Sequence, residues 1–170
     1  MLIAQVSDIH AAPDNDHLLR FDKVLQWLAH LQPDVLVLSG DLTDGRWHEG
    51  YEKIAERLCQ LRYPTLILPG NSDDRRLMRS VWGENRWSNT AADGALHAVH
   101  RLDCLLLIGL DSTVDEQDYG SVTEHLDWLE KELSQPSDMP AMLFMHHHVF
   151  ASGIPTLDGS MCRDLDKLDA

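Results

Sequence analysis

Four short polar clusters, Asp8-Ile9-His10, Gly40-Asp41-Leu42-Thr43-Asp44, Gly70-Asn71-Ser72-Asp73 and His146-His147-His148, hold the side chains best suited to chemistry. Together they offer carboxylates, an amide oxygen and imidazoles, a donor set that suits manganese, iron or zinc. A thiolate site is not on offer, because Cys59, Cys104 and Cys162 lie far apart in sequence. An all-oxygen calcium cage has no need of the histidines. Taken singly, each cluster has an ordinary reading. Asp8 and His10 fit a helix cap and a surface histidine, while Asp41 after Gly40 and Asn71 after Gly70 fit turns. Three consecutive internal histidines are harder to place, since packing does not select them and a tag sits at a terminus. All four clusters follow apolar runs, and it is their combination that points to a cation site with room for two ions. On an extended Asp-x-His segment the side chains at i and i+2 share one side, so Asp8 and His10 are expected to reach the same ion.

The elements that must position these clusters are visible as hydrophobic patterns. Leu2–Val6, Asp34–Leu38 and Thr65–Leu68 are short apolar runs that end in the first three clusters and predict buried strands. Between them, Leu18, Phe21, Val24, Leu25, Leu28 and Leu31, and then Tyr51, Ile54, Ala55, Leu58 and Leu61, recur at helical spacing. The resulting βαβαβ order predicts a parallel sheet whose strand ends open onto one ligand-bearing edge. Further on, Leu77–Trp82 predicts the end of a short helix, and Leu96–Val99 and Cys104–Leu110 predict paired strands, the second closed by Asp111-Ser112. Ser121-Val122-Thr123-Glu124 has the spacing of a capping box, followed by the stripe Val122, Leu126, Leu129, Leu133. A last strand is expected at 141–145, running directly into the three histidines. His17, His30, His48, His97, His100 and His125 lack a strand-end context and are expected on the solvated surface.

Composition bounds the rest. The 170 residues, 44% of them apolar, predict a single domain over residues 1–170. Twenty-eight acidic against 14 basic residues give a net charge of −14, which argues against a nucleic-acid polymer as partner. No run approaches the ~20 apolar residues of a membrane span, and no basic segment precedes a long apolar stretch. The expectation is a soluble, cytoplasmic protein with no membrane partner. Three cysteines are an odd number and are expected to be reduced.

As an ordered set, Asp8-x-His10, Gly40-Asp41-x-x-Asp44, Gly70-Asn71-x-Asp73 and the histidine run resemble the calcineurin-like metallophosphoesterase superfamily, in its bacterial cyclic-nucleotide phosphodiesterase and glycerophosphodiesterase branch. The resemblance implies a four-layer α/β/β/α sandwich with two mixed sheets and a dinuclear site at one edge. By the same resemblance Asp8 and His10 hold the first metal, Asp41 bridges both, and Asn71 with His146 holds the second. The family's His-His-Pro motif aligns best on His146, with His147 as the one-residue alternative. Asn71 would also turn its NH₂ toward the phosphate, and His147 would contact a substrate oxygen or orient its neighbour. Asp44 and Asp73 would accept from loop amides and ligand imidazoles, or simply cap helices. The implied activity is hydrolysis of a small phosphodiester, a cyclic nucleotide or a glycerophosphodiester, by a hydroxide bridging two divalent metals (Mn, Fe or Zn).

Two departures from the family pattern stand out. Ser72 occupies the position where this branch usually has a histidine near the substrate phosphate. No Gly-His-x-His motif follows His148, so the C-terminal part of the sandwich is expected to be missing, with an apolar edge that favours a homo-oligomer. The competing expectations are a catalytically impaired binding or assembly module on the same scaffold, and a nucleotide-linked pyrophosphatase.

Overall fold

The first half of the chain builds one sheet. In the computed structural model, which describes residues 1–88, 91, 94–135 and 139–167, β1 (Ile3–Val6), β2 (Val35–Ser39) and β3 (Thr65–Leu68) run parallel in the order β1-β2-β3. β2 is the middle strand and all five of its residues are buried, which is why it reads as a continuous apolar run. Helices α1 (His17–Leu31) and α2 (His48–Leu58) make the crossovers. Phe21, Leu25 and Leu28 of α1 and Tyr51, Ile54 and Leu58 of α2 join the buried cluster of this sheet, each large apolar side chain contributing about 1.5–3 kcal/mol. The flank of α1 is different: Val24, Trp27 and Leu31 are exposed, so its apolar pattern is wider than the stripe it buries.

The second half adds a smaller sheet. β4 (Ala98–Arg101) lies antiparallel to β5 (Leu106–Gly109), and β5 lies parallel to β6 (Ala141–Phe144), making this sheet mixed. Side chains of β5 alternate between two cores. Leu107, with Ala98 and Phe144, belongs to the same cluster as Leu36, Leu38, Leu66 and Leu68, so the sheets pack face to face. Leu106 and Ile108 instead meet Val122 and Leu129 on the far side, where α4 (Leu126–Leu133) covers the sheet. The layers are therefore helices, parallel sheet, mixed sheet and helix, as the four-layer expectation requires. On β6, Met142 and Leu143 remain exposed.

Two details differ from the sequence expectations. The 121–124 capping box does not form: Ser121 Oγ accepts from the Thr123 amide at 3.4 Å, and a 3₁₀ turn, Thr123–His125, leads into α4. As expected, 77–82 forms the end of a short helix, α3 (Arg75–Trp82), capped by Asp74, and the segment after the histidines holds a short helix, α5 (Pro155–Asp158). Most clearly, His97 is not on the surface. It is 3% exposed, stacked on Trp128 at 4.3 Å, edge-on to His125 at 4.5 Å, and accepts the Asp111 amide on Nδ1. Burial, followed by the nearby charges of His125 and Arg75, pushes its pKa down to about 4.

This burial makes an acid-sensitivity prediction. An unfolded histidine takes its proton near 6.5 while the folded His97 resists until about 4, so stability is lost as pH falls through that window. Urea midpoints measured from pH 7 to 4.5 should fall, and His97→Gln should make the fall shallower by up to one proton, about 1.4 kcal/mol per pH unit. Identical slopes in the two proteins would show that His97 charges freely in the fold.

Candidate metal centre

The C-terminal ends of β1, β2, β3 and β6 deliver the four clusters to one edge of the molecule. The segments leaving β1 and β2 stay hydrogen-bonded: the Asp8 amide donates to Gly40 O (3.0 Å), His10 to Asp41 O (2.9 Å) and Ala11 to Leu42 O (3.0 Å). Their backbone is not extended, contrary to the simple i, i+2 expectation. Asp8, His10 and Asp41 have φ of 57°, 47° and 53°, and Gly40 has 99°. Asp8 and His10 thus converge through left-handed turns. Such conformations cost about 1–3 kcal/mol each for side-chain-bearing residues and cluster where a site requires them.

Asp41 stands at the centre, 5% exposed, with its two oxygens facing different ways. Oδ2 lies 3.4 Å from His10 Nε2, and Oδ1 lies 3.6 Å from His146 Nε2 while accepting the Ser72 amide at 2.9 Å. Asp8 Oδ1 approaches His10 Nε2 at 3.6 Å, and Asn71 Oδ1 approaches His146 Nε2 at 3.1 Å. Ligand atoms of Asp8, Asp41 and His146 all fall within 4.8 Å of one another. The remaining ring nitrogens are engaged behind the site: His146 Nδ1 donates to Ser39 O at 2.8 Å, and His10 Nδ1 meets Asp44 Oδ1 at 2.7 Å. A carbonyl only accepts, so His146 Nδ1 carries a proton, and in the singly protonated ring the lone pair of Nε2 faces the Asp41 and Asn71 oxygens. A cation can join donor atoms that converge in this way, so the donor set fits divalent metal ions. For His10, burial opposes the charged ring, but the Asp44 hydrogen bond and the charges of Asp41, Asp44 and Asp8 outweigh it and raise its pKa.

A buried clamp holds these loops together. The Asp73 carboxylate accepts from the amides of Leu42, Thr43 and Gly70 and from Tyr51 Oη at 2.9 Å, and Tyr51 Oη in turn accepts the Asp74 amide. Burial raises the Asp73 pKa to about 6, with the loop amides pulling the other way. Asp73 thus accepts from loop amides, and Asp44 pairs with the His10 imidazole. Ser72 is inward-facing, its Oγ donating to Thr43 O at 3.1 Å. His147 is 3% exposed, packs edge-on against His146 at 4.9 Å, and pairs through Nδ1 with Ser112 Oγ at 2.8 Å. Burial, then the His146 charge, pushes its pKa down to about 4. It is His146, and not His147, that is brought to the Asp41 and Asn71 oxygens.

Sequence reasoning missed Tyr51, Asp111 and Ser112 as parts of this edge. Tyr51 was hidden as one more apolar position on the α2 stripe. Asp111, fully buried, takes Arg75 Nε at 2.7 Å and the Leu96 amide at 2.8 Å. Its signal, like that of Ser112, was its place directly after a strand.

Two glycines are fixed by close approach. At Gly40, with its positive φ, a Cβ would lie 2.6 Å from the Gly70 nitrogen and 2.7 Å from His146 Nδ1, and at Gly70 a Cβ would collide with the Asp41 backbone nitrogen and carboxylate. Gly70→Ala should cost about 1–3 kcal/mol, as overpacking does. It should also weaken divalent-cation binding measured by calorimetry, whereas wild-type affinity in a folded variant would show that Asp41 is not held by this contact.

Comparison with known proteins gives the chain's relatives. A probable glycerophosphodiester phosphodiesterase GpdQ from Arcobacter nitrofigilis is 30% identical over 170 residues, covering 93% of this chain and 61% of that protein. The glycerophosphodiester phosphodiesterase GpdQ of Enterobacter lignolyticus is 29% identical (99% and 64% covered), and the 3',5'-cyclic adenosine monophosphate phosphodiesterase CpdA of Escherichia coli K12 is 27% identical (98% and 62% covered). The chain therefore spans less than two thirds of the length of these curated relatives. In fold it is similar to the crystal structure of a dimetal phosphatase from Danio rerio, with a TM-score of 0.70 at 14% identity, over 99% of this chain and 76% of that one. The calcineurin-like phosphoesterase family model matches residues 1–169, and the chain belongs to that family.

Proposed function

We propose that this protein hydrolyses a small phosphodiester with the help of two divalent transition metals, manganese, iron or zinc. The observation that carries the reading is the placement of Asp41 between two histidine nitrogens, one at each carboxylate oxygen. Asp8, His10 and Asp41 would hold one ion, and Asp41, Asn71 and His146 the other. When bound, the ions supply Lewis-acid stabilisation of the phosphate and a nucleophilic water near neutral pH. The relatives named as glycerophosphodiester and cyclic-nucleotide phosphodiesterases support phosphodiesters as the substrate class.

The chain's own residues supply orientation. Asp44 keeps the His10 proton on Nδ1, and Ser39 O does the same for His146, so that both Nε2 atoms stay free to ligate. Asn71 holds its amide at the mouth, within reach of a phosphate oxygen. His147 packs edge-on against the His146 ring and lines the same cleft with an unpartnered Nε2, so it would orient its neighbour or meet a substrate oxygen. In the reaction water adds its oxygen to phosphorus and one ester P–O bond breaks. One proton of the water ends on the released alcohol and the other on the monoester or solvent.

One observation favours a second reading, a binding module with impaired turnover. The position that usually carries an acid is Ser72, and its hydroxyl is committed to Thr43 O. Loss of a general acid typically costs about 10²–10⁴ in rate.

Metal analysis and hydrolysis of bis(p-nitrophenyl) phosphate separate these readings. The enzyme reading expects two ions per chain and manganese-dependent turnover, with Asp41→Asn losing more than the roughly 10–100-fold that removal of a supporting hydrogen bond costs. Metal-free, inactive protein would overturn it; bound metal without turnover would favour the binding module. Ser72→His should raise turnover with little change in thermal stability, and an unchanged rate would place residue 72 away from the phosphate. We also propose that copies of the chain associate through exposed apolar residues such as Met142 and Leu143. Light scattering should give at least a dimer mass, and a single-chain mass would contradict this.

A further inference from the structure

The cleft over the metal ligands has a second wall that the ligand chemistry does not use. Asp8, Asn71 and His146 line one side of a space of about 400 Å³, and Phe150 and Leu157 line it from the segment that follows the histidines. Phe150 is 73% exposed and Leu157 50%, whereas the other phenylalanines, Phe21 and Phe144, are buried. The segment is held by its own hydrogen bonds. The Asp158 carboxylate takes the Ser152 amide at 2.6 Å, the Ser152 hydroxyl at 2.7 Å and the Gly153 amide at 3.2 Å. The wall is thus set before any ligand arrives, which lowers the cost of ordering it on binding.

The hydroxyls on this side are not available to a polar ligand as donors. Ser152 Oγ donates to Asp158 and accepts the Ile154 amide, and Ser160 Oγ donates to Leu157 O at 2.8 Å. Ser160 Oγ can still accept, and His148 Nε2, which has no hydrogen-bond partner, lines the same space, so selectivity rests on Phe150 and Leu157, against which a polyol gains no hydrogen bond. A flat hydrocarbon face would instead gain by covering them.

Resting on the phosphodiesterase reading above, we propose that Phe150 and Leu157 form a specificity wall that seats an aromatic or other apolar ester group of the substrate, in preference to a polyol such as glycerol. A phosphate placed against Asn71 and His146 then has one ester substituent lying on this wall. The wall selects by apolar contact, and the metal ligands recognise the phosphate common to every substrate.

The test is binding of three monoesters that share the phosphate, namely phenyl, methyl and glycerol phosphate, to the manganese-loaded protein by titration calorimetry. Phenyl phosphate should bind about tenfold or more tightly than either of the others, within the range that one added hydrocarbon group gives in an apolar pocket. Phe150→Ala and Leu157→Ala, both at exposed positions, should each bring the three affinities closer together. Equal affinities in the wild type, tighter glycerol phosphate, or a phenyl preference that survives both substitutions would overturn the wall while leaving the phosphodiesterase reading standing. No measurable affinity for any of the three would overturn both.

Discussion

The Asp41 carboxylate is buried between loops that no single element could hold, and its charge requires compensation from every side. A carboxylate shut away from water is tolerated only when hydrogen-bonded and paired. One oxygen takes the Ser72 amide and faces His146, and the other faces His10. To bring those partners within reach the backbone turns left-handed at Asp8, His10, Gly40 and Asp41, and Gly70 packs without a side chain against Asp41. The Tyr51–Asp73 clamp ties the second and third loops together behind it. The two sheets serve this arrangement, since the mixed sheet that carries β6 packs face to face on the parallel sheet and brings His146 to Ser39 O at the end of β2.

That arrangement also gives the acidic excess a local meaning. The net charge of −14 repels anions from the exterior. At the strand edge, Asp8, Asp41 and Asp44 surround two imidazoles, and cations held there would reverse the sign where a phosphate must enter. The division of labour is spatial. The side chains that would hold cations sit on short, hydrogen-bonded strand exits, while the apolar side chains that would meet the rest of a substrate sit on the segment after His148. On the proposed reading, chemistry and selectivity would be separable, so loop changes would alter the ester group accepted without disturbing the residues that hold the cations.

Much of this was legible in the sequence, for identifiable reasons. Buried parallel strands are short apolar runs, and β3 falls at its predicted bounds, Thr65–Leu68. The strand-end clusters that could ligate metal were visible because chemistry restricts them to Asp, Asn and His. What was not legible depends on tertiary geometry. Positive φ at Asp8 and His10 follows from hydrogen bonds to a strand exit 32 residues away, which an i, i+2 rule cannot anticipate. His97 looked like a solvated histidine because its partners, Trp128 and Asp111, come from distant elements. Tyr51 passed as an apolar helix position although its hydroxyl carries half of the clamp. Val24 and Leu31 matched the α1 stripe yet lie exposed, since periodicity reports a helix face and not what covers it.

The central claim is that one carboxylate, Asp41, joins two cations. Electron paramagnetic resonance of the manganese-titrated protein tests it most directly, because two ions bridged by a carboxylate are magnetically coupled and isolated ions are not. The account predicts a coupled spectrum that grows in up to two ions per chain and gives way to isolated-ion signals in Asp41→Asn. Isolated signals in the wild type at two ions per chain, or saturation at a single ion, would contradict it.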